Sequence, residues 1–146
     1  MKRPYLRFGL TLTVSLALMW LISQSMIEQL SHFHPTLANF YITLLMVSSM
    51  GIVMLLAMWH MYGNRRLNLV LLGAFAAVFI GAFVLGRSAT FIGDEAFLHS
   101  MIPHHSRAIL LCQEAELSDP QIIRLCDQII ETQREEIRLM EQLLER

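Results

Sequence analysis

Leu67-Asn-Leu-Val-Leu-Leu-Gly-Ala-Phe-Ala-Ala-Val-Phe-Ile-Gly-Ala-Phe-Val-Leu85 carries no charge over 19 residues and has one strongly polar side chain, Asn68. As a helix it is long enough to cross the ~30 Å hydrocarbon layer of a bilayer. Two similar uncharged runs precede it, residues 8–27 and 36–59. In lipid, backbone groups must be satisfied within the segment, so all three are expected to be transmembrane helices. The first run also has features of a cleaved secretory signal: basic Lys2, Arg3 and Arg7, an apolar centre and the small-residue exit Ser23-Gln24-Ser25. Its length and the internal Trp20 favour a retained span.

With 55% hydrophobic residues in 146 and a mean hydropathy of +0.50, the chain is too apolar for a soluble domain of this size. Its charges are split. Residues 1–86 hold five Lys/Arg and one acid, Glu28, for a net +4; residues 87–146 hold six Arg and eleven acids, for a net −5, giving −1 in all. Two different surroundings are implied, and the acidic half has the wrong sign for a nucleic-acid-binding face. Basic residues flank the first run and recur in the second loop as Arg65 and Arg66, whereas the first loop has none. The positive-inside rule then places the N-terminus and second loop in the cytoplasm and everything beyond Arg87 outside it. This is the topology of a multi-pass protein of a bacterial inner (plasma) membrane, its C-terminal part periplasmic.

The chain is thus expected to be all-α: a three-helix transmembrane region over 1–87, with spans at about 8–27, 36–59 and 67–85, then an extracytoplasmic antiparallel helical hairpin over 88–146. The first hairpin helix is expected over about 94–117, with Asp94 and Glu95 suited to the positive end of the helix dipole. The second starts at Ser118-Asp119-Pro120, a capping side chain followed by proline in the first turn, and continues to about residue 144. So short a connection allows only an antiparallel pair. Apolar steps of three and four give one seam of Phe97, Met101, His104/His105, Ala108, Leu111/Cys112 and Ala115. They give a facing seam of Ile122, Cys126, Ile129/Ile130, Gln133, Ile137, Met140 and Leu144. Folding the hairpin sets Cys112 by Cys126, His105 by Gln133 and Met101 by Ile137.

Within the spans, Gly73, Ala77 and Gly81 make a small-residue face suited to close helix packing. Met46, Met50, Met54 and Met58 recur every four residues, followed by His60 and Met61. They read as a flexible packing face, or as a thioether ladder for a soft metal. His32 and His34, either side of Phe33 in the first loop, read as interfacial residues, or else as residues that contact metal. Glu131/Arg134 and Glu135/Arg138 read as helix-neighbour pairs on a solvated face, each contributing ~0.2–0.5 kcal/mol.

The stretch with the most chemical content is Met101-Ile102-Pro103-His104-His105. It places two imidazoles and a thioether within about one helical turn, and methionine selects soft ions such as Cu(I). A mid-helix proline costs ~3 kcal/mol or more, and Pro103 is expected to free the His99 carbonyl and kink the helix. A local rule broken beside a candidate site points to function, or else the proline curves the helix around its partner. Cys112 and Cys126 leave three readings open: a disulfide, buried free thiols, or soft-metal ligands. A disulfide closing a loop of about fifteen residues would contribute ~3 kcal/mol in the chain-entropy model.

Phe97-Leu-His-Ser-Met-Ile-Pro-His-His105, followed by Ala108-Ile109 and then by Gln133-x-x-Glu136-Ile137-x-x-Met140, resembles domain of unknown function (DUF) family 305 over about residues 94–146. The resemblance implies a ferritin-like architecture, of which this chain supplies a half-bundle. It also implies binding of copper or silver through Met and His, since some extracytoplasmic members bind these metals and help cells tolerate copper. Carried onto this chain, the ligands are Met101, His104, His105 and Met140, and the ion is Cu(I). Longer relatives have tandem repeats and a methionine near the position of Cys112, where this chain has one hairpin. A hairpin of about fifty residues buries too little core to stand alone. A homodimer whose two hairpins make a four-helix bundle is therefore expected.

The functional expectation is a membrane-anchored extracytoplasmic protein for copper or silver binding or tolerance, with no enzymatic activity. Its expected partners are the lipid bilayer and a second copy. The alternative is a membrane-anchored helical interaction or dimerisation module that binds no metal. A di-iron enzyme is disfavoured, because it needs Glu-x-x-His on two helices and the chain offers only Glu95-x-x-x-His99. There is no nucleophile triad, phosphate loop or Cys-x-x-Cys zinc pattern.

Overall fold

Asn64 opens the helix that contains the charge-free run: its Oδ1 accepts the Leu67 N–H at 3.1 Å, and the helix runs from Arg65 to Arg87. In the computed structural model, which describes residues 3–146, this is α3. α1 covers Arg3–Ile22 and α2 Leu37–Ala57; α4 (Asp94–Glu114) and α5 (Pro120–Leu144) follow, and a 3-10 turn lies at Leu30–His32. No strand occurs among the described residues. Three helices are long and apolar enough to cross a membrane, over Pro4–Ile22, Leu37–Ala57 and Arg65–Arg87. The first stops at Ile22 rather than near residue 27. Ser25 Oγ donates to the Ile22 carbonyl at 2.8 Å, a local bond that competes with the helix and leaves Met26 and Ile27 outside it.

The chain divides into two units, one of residues up to Leu21 and Ala38–Phe91, the other of Ile22–Leu37 and Ile92–Arg146. In the first, Phe8, Leu12, Val47, Leu55 and Tyr62 form the buried core, with Met50, Met54, Met58 and Phe75 against it. Met50, Met54 and Met58 are therefore packing residues beside rings that meet edge-on (Phe8 lies 5.5 Å from Tyr62 and 5.8 Å from Phe75 between centroids), whereas Met46 is 41% exposed. Asn68 is fully buried and satisfied at both ends. Its Oδ1 accepts the Tyr5 O–H at 2.8 Å, and its Nδ2 donates to the Tyr62 carbonyl at 3.0 Å.

The small-residue face of α3 does not make the contact expected of it. A Cβ added at Gly73 or Gly81 would meet nothing within 4 Å. The close approaches are at Gly51, where a Cβ would come 3.1 Å from the Phe75 ring, and at Gly86, 3.2 Å from Tyr41 Cβ. Phe75 sits two residues from Gly73 and from Ala77, ~200° around the helix, so packing its ring turns the small face outward.

The second unit is built on α4 and α5. Asp119 caps α5, its Oδ1 accepting the Gln121 N–H at 2.7 Å, and Pro120 takes the first turn, where a missing N–H is tolerated. α4 continues through Pro103, which is buried, and ends at Glu114. The two helices run antiparallel around Ile102, Ile109, Ile137 and Met140, with Leu98, Met101, Ile130 and Leu144 against them. The inner face of α4 is shifted by one residue from the expected seam: Phe97 and Leu111 are 52% and 68% exposed, and Leu98, Ile102 and Ile109 turn inward. α4 is apolar on two adjacent faces. The one that wins also carries Cys112, which forms a disulfide with Cys126, the Cα atoms 5.4 Å apart.

Candidate functional site

Residues 22–37 connect α1 to α2, yet they pack on α4 and α5 through polar side chains. Arg107 Nη2 donates to the Ser23 carbonyl at 2.5 Å. Glu28 Oε1 accepts from Arg134 Nη2 at 2.5 Å and from Gln113 Nε2 at 3.3 Å. Arg134 thus reaches Glu28, a loop residue, and not the helix neighbour Glu131 expected from spacing. The Glu28 side chain is only 11% exposed, so its charge is largely desolvated and depends on these partners.

Ser106, fully buried, accepts the Glu28 N–H at 2.7 Å and meets His32 Nδ1 at 2.9 Å. The other His32 nitrogen lies 3.8 Å from Glu141 Oε1. Serine, histidine and carboxylate in line invite a nucleophile reading, but this hydroxyl is sealed from solvent and already holds the loop backbone. It is a latch, and it makes His32 a buried residue, not an interfacial one.

Of the four residues expected to hold metal, Met140 is buried in the apolar cluster of the hairpin and Met101, partly buried, packs against that cluster from α4. His105 lies one helical turn beyond Met101 and is partly buried. Its Nδ1 is 3.1 Å from Glu136 Oε2, without hydrogen-bond geometry. Burial pushes its pKa below the ordinary histidine value; Glu136 opposes the shift and His104 reinforces it. His104, its ring 5.9 Å from that of His105, is exposed. Among the described residues, no three His, Cys, Asp or Glu side chains are gathered as a metal site, so a centre here relies on its thioethers.

A second histidine pair lies further along the loop. His34 stacks on His99 with centroids 4.6 Å apart and planes inclined by 46°. His99 Nε2 is 3.7 Å from Glu95 Oε1, one turn away on α4. Burial lowers the His34 pKa; His99 and His32 add to this, and Glu141 opposes it. Sequence reasoning passed over this pair. Its signal was Glu95-x-x-x-His99, whose four-residue step excludes a di-iron motif but puts both side chains on one helix face. Glu28 had a signal too, as the lone acid of the first 86 residues.

The model of a family described as Domain of unknown function (DUF305) matches residues 87–144, the segment that contains α4 and α5. An uncharacterized protein of Acanthamoeba polyphaga mimivirus is 32% identical over 111 residues, covering 75% of this chain and 71% of the relative. That similarity extends well beyond the hairpin. No solved structure matches the chain. The hairpin match and the breadth of the viral likeness together establish that this chain belongs to the DUF305 family.

Proposed function

We propose that this chain is a membrane-anchored metal-binding protein, not an enzyme, and that it holds Cu(I) or Ag(I) outside the cytoplasm. The observation that carries the reading is that Met101, from α4, and Met140, from α5, pack in the same apolar cluster, with His105 one turn from Met101. The donors fit the ion. Thioethers are soft and uncharged and imidazole is a good copper ligand, a set that favours Cu(I) or Ag(I) over hard cations. A low-dielectric cluster also favours a monovalent ion, because desolvation penalties grow with charge. Met101, Met140 and His105 would hold the ion, and exposed His104 would receive it from solvent. Glu136, whose Oε2 lies 3.1 Å from His105 Nδ1, is the nearby carboxylate.

Chain topology supports the anchoring. Three crossings put residues 22–37 and 92–146 on the same side of a bilayer, and these two segments make up the second unit. The basic residues near the N-terminus and at Arg65 and Arg66 assign the opposite side to the cytoplasm. In a bacterial inner membrane the second unit is then periplasmic.

The test is Cu(I) titration of the full-length protein in detergent against a competing chelator. Met101→Leu/Met140→Leu and His104→Gln/His105→Gln are each expected to weaken binding by at least about tenfold, the least that loss of even an outer-shell partner costs. A wild-type protein that binds no Cu(I), or affinity untouched by both double variants, sinks the reading.

A second reading rests on the outer side of α5. Leu125 and Leu139 are 54% and 55% exposed, with Ile122 one turn from the first and Leu143 one turn from the second, and Thr132 and Glu136 lie between the two apolar pairs. A second hairpin on this stripe would complete a ferritin-like four-helix bundle, and the protein would act as a dimerisation module. A dimer that Leu125→Glu/Leu139→Glu dissociates, read by mass photometry, is the expected result. A monomeric wild type counts against it.

A further inference from the structure

We infer that the loop joining α1 to α2 is a lipid-contacting element, which seats Met26 and Leu30 in the interfacial layer of the bilayer on the side of the hairpin. This rests on the anchored reading of the three apolar helices and is independent of the copper reading.

Leu30 is 91% exposed and Met26 63%. An exposed leucine alone needs no explanation. What marks these two is the company they keep. The exposed residues from 22 to 31 are Ile22, Ser25, Met26, Gln29, Leu30 and Ser31, and none is charged. The one charge in the stretch, Glu28, is turned inward and paired with Arg134. The outer side of the loop therefore holds no ion that lipid would have to desolvate. The sorting has a local cause. His32 points its nitrogens at Ser106 and Glu141, and it shares a 3-10 turn with Leu30. Residues two apart on such a turn differ by ~240°, so burying His32 sends Leu30 out.

Chain connectivity names the occupant. The loop leaves one candidate span at Ile22 and enters the next at Leu37. It does not rise freely between them. The Ser25 N–H donates to the Ile22 carbonyl at 3.0 Å and the Ile27 N–H to the Ser25 carbonyl at 3.1 Å, so the chain folds back as soon as α1 ends. Met26 is thereby kept close to the end of α1. The polar layer of a bilayer is ~5–8 Å deep on each side, and apolar side chains of interfacial elements sink into it. The inner side of the loop is clamped by polar bonds alone: Arg107 holds the Ser23 and Met26 carbonyls, and Ser106 holds the Glu28 N–H. These clamps leave Met26 and Leu30 unspent within the second unit. A second copy is the poorer occupant, because both flanks of the loop are tied to helices that enter the bilayer.

The experiment is spin labelling of the full-length, disulfide-intact protein in nanodiscs of phosphatidylcholine and phosphatidylglycerol, which leave both faces open to water. Cys112 and Cys126 are bonded to each other, so a thiol-specific nitroxide goes to an introduced cysteine. Met26→Cys and Leu30→Cys are labelled singly, and two further variants bracket them. Val14→Cys lies in the middle of α1 at a residue 49% exposed, and Glu131→Cys lies on the exposed side of α5. Relaxation by oxygen, which concentrates in lipid, is compared with relaxation by a water-soluble nickel chelate. Oxygen should dominate at position 14 and the chelate at 131. Labels at 26 and 30 should lose chelate access relative to 131 and shift toward the oxygen response of 14. All four labels replace side chains at least half-exposed or nearly so, which leaves the buried contacts intact. Chelate access at 26 and 30 equal to that at 131, with position 14 in lipid, overturns this inference and leaves the anchored reading standing. Chelate access at 14 as well overturns both. Labels at 26 and 30 shielded from both reagents and broadened by spin–spin coupling between copies would place a second chain on the loop and overturn the inference too.

Discussion

In the first unit, α1, α2 and α3 are held by rings and thioethers around Phe8 and Tyr62, with one buried amide satisfied by Tyr5 and the Tyr62 carbonyl. In the second, a disulfide closes the hairpin and a desolvated Glu28–Arg134 pair ties a loop to it. The contrast follows from core size and surroundings. If the three apolar helices cross a bilayer, as proposed, they gain little from burying apolar surface and rely on shape and on satisfied polar groups. A hairpin of about fifty residues beside water has too little core and needs a staple. Each prediction below perturbs one unit and asks whether the other responds.

The disulfide should give the largest effect. Reduction, or Cys112→Ser/Cys126→Ser, is expected to lower the stability of the second unit by ~3 kcal/mol, as for a loop of about fifteen residues. Hydrogen exchange in mild denaturant should then show protection lost in α4 and α5 and kept in α1–α3. Equal loss in both would mean that the division between the units is not a thermodynamic boundary.

Next is the loop clamp. Arg134→Ala leaves the Glu28 carboxylate with Gln113 alone and is expected to cost about 2 kcal/mol, less than a fully buried pair because Arg134 itself is 44% exposed. Amides over 23–34 should exchange faster, and adding Glu28→Gln should recover part of the loss. Unchanged exchange in that loop would leave Ser106 and Arg107 as its effective anchors.

What the sequence could announce, and what it could not, divides along the same lines. The apolar helices and the two hairpin helices were legible because period, length and capping residues are local signals. The end of α1 was not, since Met26 and Ile27 prolong an apolar run that Ser25 in fact terminates. The inner face of α4 was misplaced at Phe97 and Leu111, which compete with Leu98 and Ile109, whereas Met101 does pack on the inner cluster. Only the disulfide and α5 decide between these two stripes. The cysteines were readable as a pair but not as a bridge. The docking of residues 22–37 was hidden, because its contacts link residues as distant in sequence as Glu28 and Arg134. At the site, the residue types at Met101, His105 and Met140 were legible, but not that Glu136 stands beside His105 or that His34 meets His99.

Methionine offers a sharper comparison, because both units use it. Leucine replaces it at nearly constant volume, so Met50→Leu/Met54→Leu/Met58→Leu and Met101→Leu/Met140→Leu should each cost under ~1.5 kcal/mol per site in stability. Copper affinity should separate them: unaffected by the α2 triple variant, and weakened about tenfold, near 1.4 kcal/mol, by the hairpin pair. If the triple variant weakens Cu(I) binding instead, the methionines of α2 are ligands as well as packing.

Glycine gives the smallest effect, and it separates contact within the chain from contact with a neighbour. Gly51→Ala brings a methyl to 3.1 Å from the Phe75 ring, which also packs on Phe8 with centroids 5.8 Å apart. The added methyl should cost about 1 kcal/mol, outweighing the better helix propensity of alanine. Gly73→Ala and Gly81→Ala put a methyl where nothing lies within 4 Å, so they should be neutral or mildly stabilising when the unfolding of α1–α3 is followed in detergent. The same two variants also read out association. Small residues on an outward helix face allow another helix to approach closely, and even a methyl there disturbs such packing. If Gly73→Ala and Gly81→Ala leave monomer stability intact but shift a dimer toward monomer, self-association runs through α3 as well as through the α5 stripe. If they change neither, the small face of α3 meets only lipid, and the hairpin alone must carry any pairing of two copies.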